Sequence, residues 1–314
     1  MDVTILSWLA VLGVIAGALA LDLFAFHRTA HVVTLREATI STVAWVALGV
    51  GFGLVVWHWG GSEAAGEYYA GYLIEKALAV DNVFVFALVI GAFAVPRALE
   101  HRVLFIGVIG ALVLRGLFIA GGAALLGTFH WVVYGFGILL VASGVKMMRH
   151  RSGTVVNPER NPVLRAVRRV MPMTDDYVGQ RMFVRRAGRL MATPMLAVLT
   201  VIETTDVMFA VDSIPAIFAV TEEPFLVFTS TAFAMLGLRS MYFVLAGVMD
   251  RFVHLKTGLA AVLAFVGAKM LLTDVVHIPV WASLLGIVAI LAVALVASLR
   301  ATASIPAPTE EVAS

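Results

Sequence analysis

The constraint that governs this chain is a series of apolar runs, each long enough to cross a bilayer. A helix needs about 20 predominantly apolar residues to do so. Nine segments qualify, at about 4–26, 39–59, 68–94, 102–126, 128–148, 193–220, 225–248, 257–275 and 279–299. The expected fold is therefore an all-α polytopic membrane protein with nine transmembrane helices. Composition agrees: 61% of the 314 residues are hydrophobic and 13% are charged, whereas soluble domains carry about 25% charged residues. The first run contains Ala18-Leu19-Ala20, which has the look of a cleavage site. It starts with Asp2 and no basic residue, and it outlasts a signal-peptide core, so it is read as a span.

Basic residues set the orientation. With the N-terminus outside, seventeen of the 22 Lys and Arg fall in inner loops or the tail, ten of them Arg in the 149–192 loop. The outer loops and adjoining span ends carry Glu63, Glu67, Glu222, Glu223 and Asp274 instead. This asymmetry predicts N-out, C-in. One transmembrane domain then covers 1–300, with 149–192 as a basic cytoplasmic loop within it and 301–314 as a disordered cytoplasmic tail. Within the loop, RNPVLRAVRRVM is a short basic amphipathic run, read either as lying on the anionic inner leaflet or as a solvated loop. Net charge is only +2 despite a pI near 9.0. No basic and aromatic platform is present, so nucleic acid is not an expected partner. Cysteine is absent, which removes disulfides, thiolate metal sites and thiol redox chemistry.

Two spans contain acids in matching contexts. Residues 75–83 read EKALAVDNV and 206–214 read DVMFAVDSI. The shared AVD places Glu75 over Asp206, Asp81 over Asp212 and Asn82 over Ser213. An acid at the centre of a membrane helix costs about 2.5–3.5 kcal/mol on insertion scales, and such residues mark ion pathways. Two further pairs extend the match: Leu114-Arg115 with Leu238-Arg239, and GVKM at Lys146 with GAKM at Lys269. Spans three to five (repeat A, about 68–148) therefore match spans six to eight (repeat B, about 193–275). Three is odd, so the copies are inverted, which places a substrate site near the midplane between them.

The intramembrane acids are Asp22, Glu75, Asp81, Glu203, Asp206 and Asp212, and Lys76, Arg115, Lys146, Arg239 and Lys269 lie among them. Purely structural pairing would glue helices together, but Ser, Thr or Gly would do that more cheaply. Carboxylate, amide and hydroxyl oxygens suit a hard cation such as Mn²⁺, Ca²⁺ or Mg²⁺. The candidate ligands are Glu75, Asp81, Asn82, Glu203, Asp206, Asp212 and Ser213. Arg115, Arg239, Lys76 and Lys269 are candidate counter-charges, and Asp22 a candidate pathway residue. Glu75, Asp81, Asp206 and Asp212 are expected to converge. Pro215 is expected to kink its helix beside Asp212 and release the Val211 carbonyl. The histidines lie in loops or near span ends; His58, His130 and His277 are read as interfacial neighbours of Trp57, Trp59 and Trp131. No organic cofactor is called for.

At GYLIEKALAVDNVFVF, HRVLFIG, IETTDVMFAVDSIPA, LGLRSMYF and VGAKML the chain closely resembles the TerC family, especially its Alx-type members, within the LysE-like superfamily. The resemblance implies a bacterial inner-membrane protein that exports manganese(II), and it carries Glu75, Asp81, Glu203, Asp206 and Asp212 over as ion ligands, with Asn82 and Ser213 beside them. Thr231 departs from it, since Asn is expected there. Intramembrane carboxylates also suit exchange of the ion for protons. A reading from another class, tied to the family's association with tellurite resistance, is an assembly factor for membrane or secreted proteins. That role would dock through the ten-Arg loop at the Sec translocon. An intramembrane hydrolase lacks an evident nucleophile and base, so an enzyme is not expected. The sequence leaves a homo-oligomer open.

Overall fold

The computed structural model describes residues 3–25, 34–149, 161–186, 188–245, 254–276 and 278–303. Arg28, Arg251, His277, the start of the basic loop and nearly all of the 301–314 tail lie outside these. Helices dominate: α1 (Ile5–Ala25), α2 (Leu35–Ala92), α3 (Arg97–Thr128), α4 (Val132–Arg149), α5 (Pro162–Val170), α6 (Pro194–Phe218), α7 (Pro224–Met235), α8 (Leu238–Leu245), α9 (Leu255–Leu271) and α10 (Val280–Ala303). A short hairpin of β1 (Phe183–Arg186) and β2 (Arg189–Ala192) interrupts them between α5 and α6. Among the described residues six helices are long and apolar enough to cross a membrane, or seven if the bent α7–α8 pair is one span. The chain is a multi-pass helical membrane protein.

Helix α2 explains part of the difference from nine. Its 58 residues would extend about 87 Å at 1.5 Å per residue, far beyond one bilayer core. Gly61, at φ 80° and ψ −175°, breaks the helical geometry and turns the chain back. Only a residue without Cβ reaches that φ without strain. The two halves then pack antiparallel. Tyr68 donates its hydroxyl to the Gly49 carbonyl and Tyr69 to that of Val50, both at 2.8 Å. A Cβ at Gly49 would stand 2.6 Å from the Tyr72 ring, and one at Gly53 would stand 2.3 Å from the Tyr69 ring. The expected second and third spans are thus the two arms of one hairpin.

Other breaks fall where backbone chemistry allows them. Proline opens α6 and α7 in their first turn, where its missing N–H is harmless. Helix α6 continues through Pro215 as one helical run and ends three residues later. The strong break lies instead between α7 and α8, which meet at 43° across Leu236 and Gly237, the latter at φ 78°. Lys76 reaches over from α2 and donates to the Ala234 carbonyl at 3.0 Å, supplying a partner at that helix end.

Helices α4 and α9 pack closely through small residues. A Cβ on Gly144 would stand 2.7 Å from the Ala260 carbonyl oxygen, and one on Gly267 would stand 2.9 Å from that of Gly137. Backbone oxygens cannot step aside as a flexible side chain can. Gly144→Ala and Gly267→Ala are therefore each expected to destabilise by roughly 1–3 kcal/mol. Gly13→Ala, where nothing lies within 4 Å, should be neutral. Thermal unfolding of the purified variants in detergent checks this, and equal midpoints would refute the packing argument.

A buried arginine between two matching helices

Glu75 on α2 and Asp206 on α6 are both fully buried. Arg115, about halfway along α3 and 1% exposed, lies between them. Its Nε donates to Asp206 Oδ2 at 3.2 Å and Nη2 to Asp206 Oδ1 at 3.0 Å. Nη1 donates to Glu75 Oε1 and, at 3.2 Å, to the Ser213 hydroxyl. Asn82 can present either end of its amide. One orientation gives a 3.5 Å contact to Asp206. The other donates to the Leu78 carbonyl and accepts from Arg115 Nη2, both at 3.2 Å, and is preferred because it satisfies both ends. All five guanidinium N–H groups are then used. Glu75 Oε2 is buried with no hydrogen-bond partner among the described residues.

The pairs read from sequence meet here. Glu75 and Asn82 lie seven residues apart on one face of α2, as Asp206 and Ser213 do on α6, and both faces turn to Arg115. Asp81 and Asp212 have other partners. Asp81 approaches Lys256 at the start of α9, Nζ to Oδ1 3.7 Å. Asp212 accepts from Ser143 of α4 at 2.7 Å, with Lys146 within electrostatic reach. The expected four-acid convergence is thus replaced by a central pair with one aspartate on either side. The cause is the roughly 120° between positions six residues apart on a helix. No three acidic, histidine or cysteine side chains among the described residues gather into a metal cluster. Glu203 packs its carboxylate against Gly110, where a Cβ would stand 2.1 Å from Oε1, and its buried Oε2 has no hydrogen-bond partner among the described residues.

The counter-charges divide as well. Arg239 pairs with Asp22 of α1, Nη2 to Oδ1 2.6 Å and to the Asp22 carbonyl 3.1 Å, and also meets His101. Lys269 lines a cavity of about 700 Å³ with Glu63, Glu67 and Glu222, where Thr221 donates to Glu67 at 2.6 Å. This cavity lies at the C-terminal end of α6, beyond Asp212. Sequence reasoning missed Ser143, Lys256 and His101 as partners. Lys256 and His101 stand near span ends and read as loop charge, and a lone serine in an apolar run carries no signal.

The fold and the site together define a polytopic helical membrane protein whose ion-paired centre joins two matching helices. The chain belongs to the TerC family: the profile described as "Integral membrane protein TerC family" matches residues 60–305. It is 47% identical over 292 residues to an uncharacterized membrane protein of Myxococcus xanthus, covering 93% of this chain and 91% of the relative. It is 46% identical over 292 residues to a putative membrane-bound redox modulator, Alx, of Escherichia coli, covering 90% of each. A Rickettsia felis membrane protein is 35% identical over 94% of this chain and 97% of its own length. No solved structure matches the chain.

Removing one partner of a buried ion pair leaves an uncompensated charge, at a cost of about 3–5 kcal/mol. Arg115→Met should show that loss in detergent unfolding. Adding Glu75→Gln and Asp206→Asn should recover at least half of it, because the orphaned carboxylates are then gone. A single variant as stable as the parent would mean that Arg115 does not compensate the acids.

Proposed function

We propose that this protein is a divalent-cation transporter of the bacterial inner membrane that exports manganese(II) by alternating access. The observation that carries the proposal is the Arg115 bridge. Two carboxylates from equivalent positions on two helices, with an amide and a hydroxyl beside them, form a hard-oxygen set. They are held in place by a tethered cation. A divalent ion competes for the same oxygens, and Glu75 Oε2 is an acceptor with no competing hydrogen bond among the described residues. Manganese and the outward direction follow the family resemblance.

Supporting the topology, nine spans result when α2 is divided at Gly61 and α7–α8 and α9 each count as one. The α4–α9 contact supports the inverted repeat. With Gly144 equivalent to Gly267, and Gly137 to Ala260, the contacts Gly144–Ala260 and Gly137–Gly267 exchange under a two-fold axis. Such reciprocity marks a self-complementary interface, and the pairing is antiparallel. Asp81 and Asp212 also fit, each meeting the third helix of the opposite copy. Along its helix each aspartate lies about 9 Å from the central acids, one toward either face, as way stations would. The acidic cavity beyond Asp212 forms the outer mouth under the N-out, C-in orientation. Protons are the exchange partner, because a carboxylate that releases the ion is free to take a proton. The relatives' name suggests redox modulation; this sequence has no thiol to perform it, and control of manganese supplies an indirect route.

Purified protein in proteoliposomes should move manganese, with Mg²⁺ and Ca²⁺ as competitors, and the flux should reverse with the sign of an imposed pH gradient. Glu75→Gln and Asp206→Asn should reduce it to background while still reaching the membrane. Asp81→Asn and Asp212→Asn should slow it by about tenfold or more, as expected of charges that steer an ion, without changing which ions compete. Undiminished flux in either central variant would sink the proposal.

A further inference from the structure

The segment between α4 and α6 has a surface that the transport reading does not use. From 161 to 192 it carries seven arginines against Asp175 and Asp176. The segment is pinned to helix ends at one level of the bundle. Tyr177 donates to the Phe93 carbonyl just past α2 at 3.0 Å, and Arg102 of α3 bonds Gln180. The Thr193 hydroxyl, at the start of α6, donates to the Arg181 carbonyl at 2.6 Å. These are the helix ends opposite the acidic cavity. The segment therefore sits where membrane helices emerge into the headgroup zone.

Helix α5 is amphipathic in a way that its own protein only half satisfies. Asn161 caps it, accepting from the Val163 and Leu164 amides at 3.0 Å each. Leu164 is 1% exposed in the main core, and Val167 turns partly inward. Beside that buried face runs a second apolar stripe, Val163, Ala166 and Val170, which the protein leaves uncovered. Val170, at 85%, is more exposed than any other large apolar side chain among the described residues. Arg165, Arg168 and Arg169 occupy the remaining arc, all exposed. The hairpin repeats the combination on one face, where Phe183 and Leu190 are exposed beside Arg185.

We propose that this segment is a peripheral binding surface for anionic phospholipid. The Val163, Ala166 and Val170 stripe rests at the acyl boundary, and Arg165, Arg168 and Arg169 meet lipid phosphates. Amphipathic helices with basic polar faces lie in the interface plane in this way. Each arginine near an anionic leaflet raises partitioning by about fivefold. A protein partner would cover the apolar stripe equally well, but it would not explain why the segment is anchored level with the helix ends. The assignment to the inner leaflet rests on the N-out, C-in orientation proposed above; the contact with lipid does not.

The chain has no cysteine, so Val170→Cys gives a single labelling site on the full protein. An environment-sensitive fluorophore there, in vesicles of phosphatidylcholine with about one third phosphatidylglycerol, should shift to the blue and be quenched by nitroxide lipids. The shift should be absent in pure phosphatidylcholine. It should also be lost when Arg165→Gln, Arg168→Gln and Arg169→Gln are combined. Emission identical in both lipids would overturn the proposal, as would protection that requires an added protein. Iodide applied from one side reports which face carries the label, and manganese flux in the same vesicles reports the ion site. Failure of the orientation or of the transport reading is thereby separated from failure of this one.

Discussion

Two carboxylates with no exposure to solvent cannot remain charged in an apolar bundle without a compensating cation, and the arrangement of this protein follows from that. Arg115 compensates Glu75 and Asp206 and spends all five of its N–H groups on fixed acceptors. Those acceptors come from α2 and α6, so α2, α3 and α6 must meet at one height and in one rotation. Small residues make the approach possible: Gly71 packs against Ser230 and Ile217, and Gly107 against Ile202. A well-packed apolar centre would hold three helices at least as well. Stability alone therefore does not account for an ion-paired one.

Two arginines in the same local sequence have different fates, and the backbone says why. Arg115 sits within an uninterrupted α3. Arg239 follows the break at Leu236 and Gly237, and α8 leaves α7 at 43°. That turn carries Arg239 away from the central acids to Asp22 of α1. The broken helix is tolerated inside a membrane because its ends are buried in protein, with Lys76 on the Ala234 carbonyl. Lys76, expected as a counter-charge, thus also supplies the donor that a backbone break needs.

Much of the centre was legible because rare residues carried it. Glu75, Asn82, Asp206 and Ser213 were paired by a shared AVD, and a seven-residue spacing places each pair on one helical face. The positions of Asp81 and Asp212 were not legible to the same degree. Their partners, Lys256 and Ser143, belong to other helices, and interhelical rotation leaves no trace in one chain's spacing. The α2 turn at Gly61 was legible as the gap between two apolar runs, although helix continues almost to the turn. The break at Gly237 was not, because Leu-Gly-Leu inside an apolar run reads as continuous helix, whereas Pro215, the residue type that kinks helices, lies in one that runs on. The hairpin was not legible either, because strands of four residues, FVRR and RLMA, are too short to show an alternating pattern.

Under the transport reading, the guanidinium also sets a condition on the cargo. The two central acids carry two negative charges and Arg115 returns one. A monovalent ion that displaced it would bring no more charge than was lost, and could not replace five directed hydrogen bonds. A divalent ion brings twice the charge to the same oxygens, and it leaves the arginine to find acceptors elsewhere. Selection against Na⁺ and K⁺ then needs no finely sized cage, because the competitor is built into α3. Choice among divalent ions does require ligand geometry, which falls to Asn82, Ser213 and the uncommitted oxygen of Glu75. On that reading the tethered cation rejects weak cargo, and these three ligands sort the rest.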